Sequence, residues 1–231
     1  MTLKEIISLV KNNPDRGLAN RATELTDRTI VAWINEVRGF LVSKDIEKDN
    51  SYPVALEQDL GCWPLETVDQ ADCLPSGWEW GDNVKKAVFP EVLELKNNMG
   101  LSFFGLIDKR TRIQVSSSNF GSLDDYKRFP PTKDWNAYMV GNNTIYIKWL
   151  GKIIAPTLKT VNIRGAFKNP TLVDYYSEQG IKYCYDYETT PYPIPADLTG
   201  VMIEMIWQRY LMPWASAPRD NTNVEENKAV A

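Results

Sequence analysis

Apolar positions at the start of the chain fall at helical spacing. Leu3, Ile6, Ile7 and Val10 recur at steps of three and four, one face of a short helix. Thr2 and Glu5 stand at the N-cap and N3 positions of a capping box, and Asn12-Asn13-Pro14 ends the run. A second, longer helix is predicted from about Leu18 to Lys44. Its apolar positions are Leu18, Ala22, Leu25, Ile30, Trp33, Ile34, Val37, Phe40 and Leu41. Gly39 inside it costs about 1 kcal/mol relative to Ala and marks a close helix contact. The charged segment from Asp45 to Asn50 reads as a linker.

From Tyr52 the pattern changes. Prolines and glycines punctuate short runs rich in β-branched and aromatic residues: Val54 to Leu60, Val84 to Phe89, Leu101 to Ile107, Ile113 to Val115, Ala137 to Val140, Thr144 to Leu150 and Thr160 to Ala166. These read as strands separated by turns. Asn142-Asn143 predicts a tight hairpin, because Asn tolerates positive φ. Asn97-Asn98-Met99-Gly100 predicts another turn.

The stretch YPIPADLTGVMIEMIWQRYLM, residues 192–212, returns to helix. Pro193 and Pro195 forbid helix before Ala196, Asp197 is placed to cap, and Pro213 stops a helix of about Leu198 to Met212. It is apolar almost all round, with only Glu204, Gln208 and Arg209 interrupting. A helix with one wet face has a narrower apolar stripe, so a second cover is needed. Val201, Met205, Gln208 and Met212 form one stripe; Met202, Ile206, Arg209 and Pro213 form another. The polar remainder predicts an extended or disordered tail.

The expected architecture is α+β. Residues 1–50 and 192–212 form a helical bundle, 51–191 a β-rich insertion of barrel or sandwich type, and 213–231 a flexible C-terminal tail.

Composition narrows the function. The net charge of −4 argues against a non-specific nucleic-acid binder. No run of about 18 apolar residues indicates a membrane span, and the N-terminus lacks a signal-peptide pattern, so the cytosol is the expected site of synthesis and assembly. The three cysteines, Cys62, Cys73 and Cys184, fit a reduced state. The absence of histidine removes the commonest general acid/base and metal ligand.

What remains for chemistry is sparse. Cys62 and Cys73 are spaced too widely for an ordinary zinc pair and read as small buried residues. Asp59, Glu66, Asp69 and Asp72 read as solvated turn acids rather than a catalytic or cation set. Asp108-Lys109-Arg110-Thr111-Arg112 is a charged turn, or a contact for an acidic partner such as nucleic acid. Trp63, Trp78, Trp80 and Trp135 offer a sugar platform or, more simply, core. Neither a Gly-rich phosphate loop nor a nucleophile elbow occurs. An enzyme is not expected, nor a cofactor or metal.

Several stretches, in order, carry a resemblance: TDRTIVAWINEVRGFLVSKD (26–45), DLGCWPLETVDQADC (59–73), FPEVLELKNNMGLSFFGLIDKRTRI (89–113), AYMVGNNTIYI (137–147), VNIRGAFKNPTLV (161–173) and YPIPADLTGVMIEMI (192–206). Together they resemble the head-to-tail connector ring, or adaptor, proteins of crAss-like short-tailed bacteriophages. The resemblance implies a structural virion protein that forms a homo-oligomeric ring, dodecameric with the portal, below the portal protein. Further connector or tail proteins would be its other partners. Genomic DNA would pass through without sequence-specific binding, and no membrane is involved. A closed ring uses two different faces per subunit. On that footing Trp207, Tyr210, Leu211 and Trp214 are the candidate subunit or portal interface, being large apolar or amphipathic groups. The alternative is another tail or baseplate protein whose β domain binds a host glycan.

Overall fold

The computed structural model describes residues 1–12, 25–49, 53–69, 74, 84–95, 100–113, 115–117, 135–141, 143–149, 158–177 and 179–213. Helix α1 spans Leu3–Lys11 and begins with the expected capping box: Thr2 Oγ1 accepts from the Glu5 N–H, and Glu5 accepts from the Thr2 N–H. Helix α2 spans Asp27–Asp49. It runs through the segment expected to be a linker, because Ile46 continues the apolar stripe of Val42 and is buried with it. Residues 18–24, the expected start of that helix, lie outside the described residues. Helix α3 spans Ala196–Ile206 and continues as a π turn over Trp207–Leu211.

The three helices share one core. Leu3, Ile6 and Val10 from α1 meet Ile30, Ile34, Val37 and Leu41 from α2 and Met202 and Ile206 from α3. Tyr185, Tyr192 and Ile194, from the approach to α3, complete it. The chain start is tied to that approach by backbone bonds: the Tyr192 N–H donates to the Met1 carbonyl and the Lys4 N–H to the Tyr187 carbonyl.

Ten strands follow between α2 and α3 among the described residues. They are β1 (Gln58–Pro64), β2 (Glu66–Thr67), β3 (Val84–Val88), β4 (Leu101–Gly105), β5 (Val115–Ser117), β6 (Trp135–Val140), β7 (Thr144–Trp149), β8 (Thr160–Gly165), β9 (Asp174–Tyr176) and β10 (Lys182–Cys184). They form two five-stranded sheets, ordered β10-β9-β1-β8-β4 and β2-β3-β7-β6-β5. Leu60, Phe104, Val161 and Ile163 of the first sheet share one buried cluster with Ala87, Ala137, Met139, Ile145 and Ile147 of the second. That is sandwich packing. Neither sheet closes into a barrel among the described residues, so that part of the expectation is corrected.

Three local readings also change. Residues Val54–Leu56 form a 3-10 turn rather than a strand. The turn between β6 and β7 has positive φ at Gly141 and not at Asn143, while Asn142 lies outside the described residues. Gly39 faces Leu93 of the β segment, whose Cδ2 would lie 3.5 Å from an added Cβ, rather than another helix. The expected Asn97–Met99 turn and the tail beyond Pro213 lie outside the described residues.

The β segment is fastened to α2 at two levels. Val42 and Ile46 pack on Leu56, Leu93, Leu95 and Ala166. Arg38, fully buried, donates to the carbonyls of Phe167 and Pro193.

Candidate subunit interface

Pro195, with extended backbone, occupies the N-cap of α3, and no side chain caps it. Asp197 therefore lies in the first turn, where its charge faces the positive helix end, instead of capping as expected. Thr199 returns its hydroxyl to the Pro195 carbonyl at 3.2 Å.

The π turn decides which residues face inward. Met202 and Ile206 are buried one α-helical step apart. Another α turn would bring Arg209 or Tyr210 towards the same side. The π turn inserts one residue, so Leu211 falls in line with Met202 and Ile206, while Gln208 and Arg209 stay out; Trp207, beside Ile206 at the start of the turn, is buried as well. Trp207 is 0% exposed and Leu211 2%. Trp207 Nε1 has no hydrogen-bond partner among the described residues. Leaving such a donor buried costs on the order of 1–3 kcal/mol.

The chain thus covers much of the second apolar side itself. Of the four candidate interface residues, Trp207 and Leu211 lie in the chain's own core, and Trp214 lies outside the described residues. Tyr210 is half-buried and stacks on Trp33 of α2, ring centroids 5.0 Å apart and planes 12° from parallel. What α3 offers outward is the stripe of Val201 and Met212, 47% and 40% exposed, with half-buried Met205 between them. That stripe is legible in the helical spacing; its outward direction is not, because the π turn is silent in the sequence.

The other candidates resolve individually. Cys62 is buried and Cys184 exposed, and Cys73 lies outside the described residues. Among the described residues no group of His, Cys, Asp or Glu is arranged to hold a metal ion. Asp59 accepts from Lys109 Nζ at 2.9 Å, from Asn162 Nδ2 at 2.7 Å and from the Gly61 N–H at 2.9 Å, and pairs with Arg164. Burial pushes its pKa up, and those hydrogen bonds outweigh burial and hold it below the ordinary carboxylate value. Asp59 is thus a structural anion. Asp72 lies outside the described residues.

In the basic turn, the Asp108 carboxylate accepts from the N–H groups of Arg110 and Thr111, and Lys109, at φ 57°, reaches back to Asp59. Trp63 is buried, edge-on to Tyr176, with its Nε1 donating to the Val88 carbonyl. Its ring is not open to a sugar. Trp78 and Trp80 lie outside the described residues. No described helix is long and apolar enough to cross a membrane.

One surface escaped the sequence reading. Strands β9 and β10 were not expected, and β10 is exposed at every residue. Ile181 beside it and Tyr183 within it are 54% and 53% exposed. The signal was the alternation Ile181, Tyr183, Tyr185.

A family model described as phage tail ring protein 2, of the CrAss ring type, matches residues 4–228. The comparison with curated proteins returns no match.

Proposed function

The chain belongs to the phage tail ring protein 2 family and is a structural component of the bacteriophage virion, and on that premise we propose its place and its contacts. It forms a closed ring in the head-to-tail connector, below the portal and matching it in copy number. It joins the portal to the tail and lines the channel through which DNA leaves. It acts by assembly, not by turnover, and assembles in the host cytoplasm.

The observation that carries this reading is the family match over nearly the whole chain. The structure supports it in two ways. Exposed apolar groups on α3, Val201 and Met212, suit a surface that a neighbour covers. A net charge of −4 suits a channel that does not grip DNA.

On this reading residues 1–50 and 192–212 act as a helical domain, 51–191 as the β-rich insertion, and 213–231 as an arm that orders on docking. Tyr210 and Trp214 touch the neighbour or the portal. Trp207 and Leu211 act from beneath, by fixing the π turn that aims the outer residues. With Trp63 buried, nothing among the described residues favours the glycan-binding alternative.

Electron cryo-microscopy of assembled particles tests the proposal. A closed ring of this chain at the portal, with α3 against another subunit or the portal, is the expected result. Its absence from particles, or a place at the tail periphery, overturns it.

A further inference from the structure

Glycine in a helix interior is unfavourable relative to alanine, because it loses the most backbone freedom and packs no side chain. Two of the described helices carry one. Gly39 of α2 has a neighbour inside the chain: the β segment packs over it, and an added Cβ would stand 3.5 Å from Leu93 Cδ2. Gly200 of α3 has none. It is exposed, and an added Cβ meets no atom within 4 Å among the described residues.

The other reasons for a glycine are missing too. Gly200 lies inside Ala196–Ile206, away from either cap, and its φ is not positive. No turn, kink or left-handed residue calls for it. Within the isolated chain an alanine would serve this position at least as well. The requirement for a missing side chain therefore lies outside the chain.

Its surroundings point to what that is. Gly200 borders the outward stripe of α3, with Val201 exposed beside it and half-buried Met205 one turn further. Ala196, one turn earlier, is exposed as well. At Gly200 the helix backbone is bare next to apolar side chains. A bare stretch of backbone is where another main chain approaches closely, and the apolar neighbours suit a surface that becomes covered.

We propose that Gly200 is the point where α3 of one copy and the backbone of the next copy in the ring come closest. This rests on the ring reading above, and it adds the residue that sets how near two copies lie. The occupant is a second copy because the family is one of ring proteins, in which each copy meets its own kind at two different surfaces. Gly200 stays small for the assembly and to the detriment of the free helix.

The test compares the full-length chain with Gly200→Ala and Gly200→Leu, each as isolated protein and in assembled particles. Both replacements are good helix formers in open space, so the thermal midpoint of the isolated chain should rise or stay the same. In particles the order should reverse. Gly200→Leu overfills a close contact and should lower copies per particle at least about ten-fold, with Gly200→Ala between it and the parent. More stable alone and less incorporated is a combination that a purely structural glycine does not give. A midpoint lowered by Gly200→Ala shows that the glycine serves the chain's own fold, and overturns the proposal. So does incorporation of Gly200→Leu at the parent level. The occupant is read separately, with the photo-crosslinking residue p-benzoylphenylalanine in place of Asp197, exposed one turn before Gly200. Irradiated particles should yield a band at twice the chain mass containing this chain alone. An adduct with a different virion protein, or none, overturns the assignment to a second copy. If the parent chain itself is absent from particles, the ring reading falls with it.

Discussion

Arg38 holds Pro193 from inside the core: its Nε donates to the proline carbonyl at 2.6 Å, and the whole side chain is shielded from water. Its Nη1 donates to the Phe167 carbonyl at 2.8 Å. One residue of α2 therefore fastens both the entry to α3 and the segment after β8. The guanidinium fork allows this, since it presents donors in several fixed directions.

Arg38→Ala should destabilise the isolated chain by about 2–4 kcal/mol, because two buried carbonyls lose their donors and a large volume empties. Arg38→Lys should recover only part, since an ammonium on a flexible stem cannot serve both carbonyls in the same geometry. Urea titration checks this through the midpoint at constant slope. Equal stability of all three proteins would refute the fastening role.

Asp59 gives a pH prediction. Its carboxylate is held below the ordinary value by Lys109, Gly61 and Asn162, against the opposing effect of burial. With the folded pKa depressed, the unfolded chain takes up a proton first as pH falls. The stability from this group is therefore present above the ordinary carboxylate pKa of about 3.9 and is lost as pH drops through the folded value. Asp59→Asn should be less stable at neutral pH and lose less on acidification over that window. Thermal melts of both proteins from neutral pH downward measure the difference.

Gly61 lets β9 approach. It sits at φ 72°, and an added Cβ would lie 1.9 Å from the Tyr176 carbonyl oxygen. Gly61→Ala should cost at least about 2 kcal/mol in backbone strain and displacement. Amide hydrogen exchange should show the loss concentrated in β9 and β10, since Gly61 and Tyr176 form the bridge that docks that hairpin. Unchanged protection there would show that the hairpin is held by other contacts.

Much of this fold is written in side-chain spacing. The capping box at Thr2 and Glu5, strands β3, β4, β6, β7 and β8 and the stripe of Met202 and Ile206 are legible, because local periodicity and turn chemistry decide them. What was not legible depended on partners distant in sequence. The end of α2 is settled by burial of Ile46 against Leu93 and Leu95, which outweighs its charged neighbours. The hairpin of β9 and β10 forms because β1 offers an edge at Gly61. The site followed the same rule. That residues 207–214 hold bulky interface-type groups was plain. Which of them face outward depended on one π turn that no spacing reveals.

That turn divides the candidate interface into two kinds of residue, and they should fail differently. Trp207 and Leu211 lie in the core shared with α1 and α2, so Trp207→Ala should cost about 3–5 kcal/mol in the isolated chain. Val201 and Met212 are exposed, and Val201→Glu or Met212→Glu should change the isolated chain's stability by no more than about 0.5 kcal/mol. A glutamate at a buried contact between subunits lacks a partner and opposes assembly. The two Glu variants should therefore fold normally and be depleted from particles, as read by quantitative mass spectrometry of purified virions. Normal incorporation of both would place the working surface elsewhere on the chain, with the β10 edge as the next face to probe.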